Sequence, residues 1–507
     1  MLFKKVRTRF APSPTGMMHL GGARTALFNY LFAKHFKGDF IVRFEDTDLK
    51  RNDFSSIDQL LSDLKWLGIK PCATIGTDDQ YSPYRQSQRL NIYAKYAQEL
   101  LLTKKVYPCF CTPLELKKVR EKQIKKGQTA PKYNRKCWSL SSQKIIELQK
   151  AKTSFCLRFF VAPKQKIIFT DLVYGKMEFI SENIEDFVII KTNNYPTYNF
   201  AVVIDDYLMQ ISHVWRGSDH LSNTPKQILL YQTFGWQVPM FGHLSLIQFS
   251  SETKMSKRFE IPEQHIDYYR VQGYLPETFF NYLSLLGWTP DKFQELFTQE
   301  ELIKLFDGNN LNKTQSIFSL SKLNWINNKK LLQLSDEEFQ KQWFIFAFLK
   351  KQKILKNWNK DDNFEYFKKN NYQLQILDHP RIVLMILFFR KEINSLEDLF
   401  LILVKYIGCI DSLLDPEYLL LNHFLFQSLD KHIDETIWDE NGIQSMLKQV
   451  QKDTNLKGRN FFAPIYYLIN KLKEGPAMST LLFLFGKDEI KQRLKKYFEL
   501  HKTQKNN

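Results

Sequence analysis

With 507 residues the chain is too long for one hydrophobic core, and two to four domains are expected. Its hydrophobic fraction of 44% and charged fraction of 25% are those of a soluble globular protein, which excludes a structureless or membrane-embedded chain. A net charge of +18 points to a polyanionic partner, most simply nucleic acid, although abundant Lys, Asn, Phe and Ile throughout account for part of the excess.

In chain order, "KKVRTRF" reads as a strand and is followed by the Gly- and Pro-crowded turn "PSPTGMMHLGG". Helical periodicity runs from His19 to Phe36, then "DFIVRFED" forms a buried strand and "SSIDQLLSDLKWLG" a second helix. Strand, helix, strand, helix implies a parallel sheet covered on both faces, with ligands at the carboxyl ends of its strands. The turn and the acidic "FEDTD" both follow strands and converge at such an edge. Residues 106–194 break the rhythm with a basic helix, "ELKKVREKQIKKG", and strand-like runs "TSFCLRFFV" and "KIIFTDLVYG", as an insertion between residues 1–105 and 195–260 would. Strand and helix resume with "TYNFAVVIDDYLMQISHVWRGSDHL" and "TPKQILLYQTFGW". Beyond Phe259 the spacing is helical to the end, divided near residues 325 and 425, and only the tail "HKTQKNN" has a disordered composition. The six cysteines form no disulfide-style framework, the strand pattern begins too early to leave room for a leader, and "RIVLMILFF" is too short to cross a bilayer. A cytosolic protein is expected.

Two elements carry chemistry. A helix starting at Leu20 aims unpaired N–H groups and its positive dipole end at the strand edge, which suits phosphate. His19 can donate there, Pro12 stiffens the approach, and Gly21 and Gly22 leave room for a flat ring; taken alone, the histidine is as well explained as a helix cap. The second element is "SSETKMSKRFE", residues 250–260, in which Lys254, Lys257 and Arg258 surround Met255 and Ser256 on a loop. Cations there stabilise charge that builds on a transferring phosphoryl group, although a lysine-rich loop in a lysine-rich chain needs no such role.

Together, HLGG after a first strand and KMSKR after a later one resemble the paired signatures of class I aminoacyl-tRNA synthetases. The blocks "TRFAPSPTGMMHLGGARTALFNYLFAKHFKGDFIVRFEDTD", "SPYRQSQRLNIYAKYAQELL", "YPTYNFAVVIDDYLMQISHVWRGSDHLSNTP" and "GYLPETFFNYLSLLGW" resemble bacterial-type glutamyl-tRNA synthetase, in the family's order, over roughly the first 290 residues. "GRNFFAPIYYLI" and "LFGKDEIKQRLKKYFEL" are more weakly similar to its anticodon-binding region. The resemblance implies an α/β Rossmann-type catalytic domain with an α+β acceptor-binding insertion (1–105, 106–194, 195–260), then an all-α stem-contact domain (261–325) and anticodon-binding region (326–500). It implies a monomer that uses ATP with magnesium to join glutamate to tRNA-Glu, and that activates glutamate only when tRNA is present.

By the same resemblance, Pro12, His19, Gly21, Gly22 and residues 254–258 contact ATP, with Lys257 neutralising the charge of departing pyrophosphate. Arg9 reads the glutamate side-chain carboxylate, whose burial unpaired would be prohibitive. Ala11 and Ser13 flank Arg9, Glu45 holds the α-ammonium group, and Tyr198 and Arg216 complete the glutamate contacts. Arg390 in "FFRKEINSLEDL" is the candidate reader of the last anticodon base. Cys109, Cys111 and Cys137 match three ligands of a zinc site found in some members, but Ser139 stands at the fourth position and is a poor zinc ligand. Tyr133 or a distant residue would have to substitute, so three reduced cysteines in a lapsed site are expected over bound zinc. Lys117, Lys118, Arg120, Lys122, Lys125 and Lys126 lie on the part that grips the acceptor stem. A glutaminyl enzyme would carry a second histidine where this chain has Gly22 and would end in a β-barrel. A small-molecule nucleotidyltransferase would need neither KMSKR nor the long helical remainder. A non-catalytic RNA-binding paralogue would have lost His19, Lys257 or Arg9.

Overall fold

The first strand, β1 (Arg7–Phe10), lies parallel to β2 (Asp39–Val42), with Thr8 opposite Phe40 and Phe10 opposite Val42. Parallel neighbours need a crossover, and α1 (Leu20–His35) supplies it. Every residue from Ala26 to Ala33 is buried, so the helix packs on most of its circumference. This computed structural model describes residues 5–48, 55–129, 131–249, 262–291, 293–358, 376–377, 379–407, 422–470 and 472–505. Helices α2 (Ser55–Trp66) and α3 (Leu90–Leu102) complete the first half.

The insertion begins with β3 (Val106–Cys109), followed by α4 (Pro113–Lys125) and α5 (Ser142–Lys150). Thr112 and Glu115 close a reciprocal capping box on α4, and no residue of that helix is buried. β4 (Cys156–Phe159) pairs antiparallel with β3 on one side and with β7 (Val188–Ile190) on the other. Between them, β5 (Lys166–Asp171) and β6 (Gly175–Ile180) form a hairpin.

The second half contributes α6 (Tyr198–Leu208), β8 (His213–Gly217), α7 (Thr224–Phe234), β9 (Met240–Leu244) and β10 (Ile247–Phe249). β8 and β9 are parallel, and β5 joins β9 where Asp171 meets Phe241, giving the order β6-β5-β9-β8. The insertion is therefore hydrogen-bonded into the sheet it interrupts. The two halves meet at the foot of β1, where Arg7 donates its N–H to Ser212 Oγ (2.7 Å) and Ser212 N–H donates to Arg7 O (2.9 Å).

Helices α8 (Ile266–Val271), α9 (Pro276–Leu285) and α10 (Gln299–Leu305) follow. The remainder is not wholly helical: β11 (Ser316–Phe318) pairs in parallel with β10. Three residues are too few for alternation to show, and the partner is remote in sequence.

The chain forms two compact units, residues 1–269 with 276–323, and residues 270–275 with 324–507. Among the described residues of the second unit are the helices Asp336–Trp358, Ile382–Phe389, Leu396–Ile407, His423–Ile433, Glu440–Thr454, Arg459–Asn470, Met478–Phe485 and Lys487–Lys505. Trp343, Phe389, Leu403, Phe426, Ile465, Leu482 and Leu494 meet in their common core.

Candidate active site

Where β1, β2 and β8 end, their loops enclose a cavity of about 870 Å³. Arg9, Ala11, Pro12 and Ser13 reach its wall from β1, Glu45 from β2, Arg216 from β8, Tyr198 from the first turn of α6, and Gly21 and Gly22 from α1. The turn is pinned to β2, because Glu45 N–H donates to Pro12 O (2.9 Å) and Arg43 N–H to Phe10 O (3.0 Å). Gly16 sits at φ 135°, a conformation that side chains avoid. At Gly21 and Gly22 the protein itself leaves room: an added Cβ would meet only His19 Nδ1 at 3.5 Å or Phe10 Cζ at 3.8 Å. What a side chain there would intrude on is the cavity.

Beneath the cavity three guanidinium groups face three carboxylates. Arg9 Nε donates to both oxygens of Asp206 (3.2 Å each), and Arg43 donates to Asp206 (2.8 Å) and Glu45 (3.2 Å). Arg43 Nε is 3.6 Å from Asp205, which also accepts from Arg89 (2.7 Å), Tyr93 OH and Gln86 (2.8 Å each). Burial of this kind is tolerable only because charges cancel and hydrogen bonds are made. The Asp206 carboxyl, which burial alone would raise, is held below the usual range by Arg9 and Arg43. Glu45 goes the other way: burial outweighs Arg43 and Arg9 and lifts it to about 7. Arg9 uses only its Nε here, and among the described residues its two terminal nitrogens make no hydrogen bond. A planar fork in a nearly closed wall is the geometry that receives a carboxylate bidentately.

Arg216 is a fourth buried cation, and its partners are neutral: His243 Nε2 (3.1 Å), Tyr198 OH (3.2 Å) and Thr224 Oγ1 (2.7 Å). Among the described residues it has no salt-bridge partner.

His19 caps α1 just before the two glycines. Its Nδ1 accepts from Gly21 N–H (3.1 Å), which leaves the proton on Nε2, and this nitrogen donates to Gln264 Oε1 (3.3 Å). Phe249 lies on one side with ring centroids 6.3 Å apart, and His265 on the other at 5.8 Å. Phe249 and Pro262 bound residues 250–261, so both flanks of that stretch come to His19. Lys254, Met255, Ser256, Lys257 and Arg258 themselves lie outside the described residues.

The family model described as tRNA synthetases class I (E and Q), catalytic domain, matches residues 5–325, and one described as an anticodon binding domain matches residues 423–498. The chain is 40% identical over 501 residues to a glutamate–tRNA ligase of Geobacillus thermodenitrificans, covering 97% of this chain and 98% of that one. It is 41% identical over 492 residues to the Bacillus subtilis glutamate–tRNA ligase, covering 97% and 99%. The chain belongs to the glutamate–tRNA ligase family. A crystal structure of a glutamate tRNA ligase from Elizabethkingia meningosepticum, in complex with its amino acid, superposes with a TM-score of 0.80 at 30% identity, covering 98% of this chain and 99% of that one.

Two further sequence candidates are placed as follows. Arg390, read as a base contact, is buried and employed by the protein. Its Nε donates to Leu331 O (3.0 Å), Nη1 to Asp336 (3.1 Å), and Nη2 to both Leu331 O and Leu334 O. It bonds carbonyls at the carboxyl end of the helix Leu320–Gln333 (α11), groups that have no partner within a helix, and stacks on Phe339. Ser139 is exposed and donates to Lys136 O, but the cysteines do meet, all three sulfurs lying within 4.8 Å of one another. The Tyr133 hydroxyl joins them, 3.3 Å from Cys109 Sγ and 3.7 Å from Cys111 Sγ, and accepts from Cys137 N–H (3.0 Å). Lys117, Lys118, Arg120, Lys122, Lys125 and Lys126 are all exposed.

The sequence reading missed Arg43, Asp205 and Asp206. The available signal was a pair of aspartates inside the apolar helix "FAVVIDDYL", which demands buried cations nearby.

Proposed function

We propose that the cavity binds glutamate and ATP with magnesium, and that the protein makes glutamyl-adenylate and esterifies tRNA-Glu with it. The supporting observation is the charge pattern: an open guanidinium fork at Arg9, a second cation at Arg216 and a carboxylate at Glu45 around one space. Glutamate brings two carboxylates and one ammonium, which match two cations and one carboxylate, whereas glutamine offers Arg9 no side-chain carboxylate. Arg9 takes the side-chain carboxylate and Glu45 the ammonium group. Tyr198, Ala11, Ser13 and Arg216 fix the rest, and the start of α1 with Pro12, Gly21, Gly22 and His19 receives ATP. A glutamate α-carboxylate oxygen attacks the α-phosphorus in line, and the bond to pyrophosphate breaks. Residues 254–258, whose flanks bracket His19, supply the cations for that departing charge. The terminal ribose hydroxyl of tRNA then attacks the carbonyl carbon and AMP leaves.

Residues 106–194 would meet the acceptor end, with α4 offering an exposed cationic helix, and residues 261–325 the stem. In the anticodon-binding part of 326–500, a cavity of about 440 Å³ is walled by Gln444, Gln451, Phe462 and Tyr466. Aromatic faces and amides suit an unstacked base better than Arg390 does. The test is ATP–pyrophosphate exchange: glutamate with tRNA is expected to support it, and exchange with glutamine but not glutamate overturns the reading.

Glu45 makes the reaction pH-sensitive with a definite sign. Its carboxyl titrates at about 7, and only the ionised form attracts an ammonium group. The KM for glutamate is therefore expected to rise roughly tenfold between pH 8 and pH 6, as one proton must leave for binding. Glu45→Gln should weaken binding and flatten that profile, and an unchanged slope in the variant assigns the titration elsewhere.

A second reading concerns zinc: against the lapsed site expected from Ser139, the clustering of three thiols with the Tyr133 hydroxyl supports a four-ligand site. A tetrahedron with bonds of ~2.3 Å to sulfur and ~2.0 Å to oxygen has edges of about 3.8 Å between sulfurs and about 3.5 Å from sulfur to oxygen. Cys111 and Cys137 sulfurs stand 3.5 Å apart, and the Tyr133 oxygen stands 3.3 and 3.7 Å from two sulfurs. Cys109, Cys111, Cys137 and Tyr133 thus fit one zinc ion that would tie β3 to the loop before α5. Elemental analysis is expected to find about one zinc per chain and markedly less in Tyr133→Phe; a metal-free wild type overturns this.

A further inference from the structure

We infer that His243 and Asp171 are positioning residues that hold Arg216 in register with glutamate; the inference rests on the reading of Arg216 as a glutamate contact. His243, on β9, is fully buried, and both its ring nitrogens are committed. Nδ1 lies 2.5 Å from Asp171 Oδ2, and Nε2 receives Arg216 Nε–H at 3.1 Å with Thr224 Oγ1 at 3.0 Å. A guanidinium can only donate, so Nε2 must present its lone pair and the ring proton must sit on Nδ1, donated to the Asp171 carboxylate. An imidazolium would oppose two donors and the Arg216 charge. Asp171 therefore selects the tautomer that His243 needs in order to grip Arg216.

Asp171 is itself immobilised. Its Oδ1 accepts from the N–H groups of Val173 and Tyr174 (2.9 Å each) and of His243 (3.3 Å). Thr224 closes the ring by accepting from Arg216 Nη2 (2.7 Å). Nε and Nη2 are thereby anchored to the sheet and to α7, while Nη1 points along Tyr198 OH at the cavity wall. Among the described residues no carboxylate forms an ion pair with this guanidinium, and the neutral acceptor orients it without cancelling its charge. Asp171 ends β5, inside the insertion, so the frame of the glutamate pocket includes a residue of the acceptor-side segment.

The experiment measures glutamate, ATP and tRNA KM values by aminoacylation, with melting temperature, in four single variants and one double. His243→Phe keeps the ring volume and removes the acceptor, and is expected to raise the glutamate KM at least tenfold with ATP and tRNA KM values unchanged. His243→Gln places an amide oxygen near the Nε2 position and is expected to restore most of the loss. Asp171→Asn, which weakens control of the tautomer, should fall between them and serves where His243→Phe folds poorly. Because His243 acts through Arg216, adding His243→Phe to Arg216→Ala should cost little more than Arg216→Ala alone. The inference is overturned if Arg216→Ala raises the glutamate KM while His243→Phe and Asp171→Asn do not. It is equally overturned if all three KM values and the melting temperature move together, or if the double variant is additive. An unchanged glutamate KM in Arg216→Ala instead removes Arg216 from the pocket, a separate failure.

Discussion

Arg9→Ala is expected to lower kcat/KM for glutamate by about a thousandfold while the KM for ATP stays within about twofold. Removing one partner of a buried, hydrogen-bonded charge pair costs roughly 2–5 kcal/mol, most of it the penalty of leaving the other charge unpaired, and each ~1.4 kcal/mol is a factor of ten. Here the stranded charge belongs to the substrate. Arg9 is only 3% exposed, so water cannot replace it at the glutamate carboxylate. The fold loses less, since Asp206 keeps its 2.8 Å bond from Arg43. Loss should therefore fall on glutamate recognition, with a small change in melting temperature. Arg9→Lys retains the charge but not the fork and should recover part of the activity. Glutamate saturation curves for the three proteins decide the matter, and an Arg9→Ala curve that matches the wild type removes Arg9 from the pocket.

Why some of this was legible in the residues and some was not follows from range. Gly21, Gly22 and His19 act within a few residues of one another, and local steric rules are enough to predict a helix start there. Arg9 and Glu45 came from matched blocks, and they face one cavity because parallel strands end on one side. Tertiary partners were beyond such reading. Arg390 looked like a free cation because nothing near it in sequence marks the carbonyls of Leu331 and Leu334 to which it donates. Tyr133 could be named from the sequence as a substitute for Ser139 but not placed, because its oxygen reaches the thiols through a loop whose course no spacing rule describes. His243 sits in "FGHLSLI", an apolar strand in which a lone histidine is ordinarily a satisfied core residue; its satisfaction by Arg216 and Asp171 is what gives it a role.

Arg43→Met should be the most destabilising of these changes, costing about 3–5 kcal/mol, with glutamate binding impaired as well. Arg43 has no exposed side-chain surface and touches Glu45, Asp205 and Asp206. Methionine fills much of the volume, so the loss is electrostatic: three buried carboxylates would be left to Arg9 and Arg89 alone. Glu45, which burial already pushes up to about 7, would then favour protonation more strongly still. An acid whose pKa is raised in the folded state binds protons that the unfolded state releases, so stability is kept below that pKa and lost as pH rises through it. The deficit of the variant, read from urea transitions of the first unit, should therefore be larger at pH 8 than at pH 6. Adding Asp206→Asn, which withdraws one of the stranded charges, should recover part of the loss even though it removes another native bond. A deficit below about 1 kcal/mol, independent of pH, is what a solvent-screened surface pair would give, and it would mean that water reaches this cluster and that the charges under the cavity are not what fixes Arg9 and Glu45 in place.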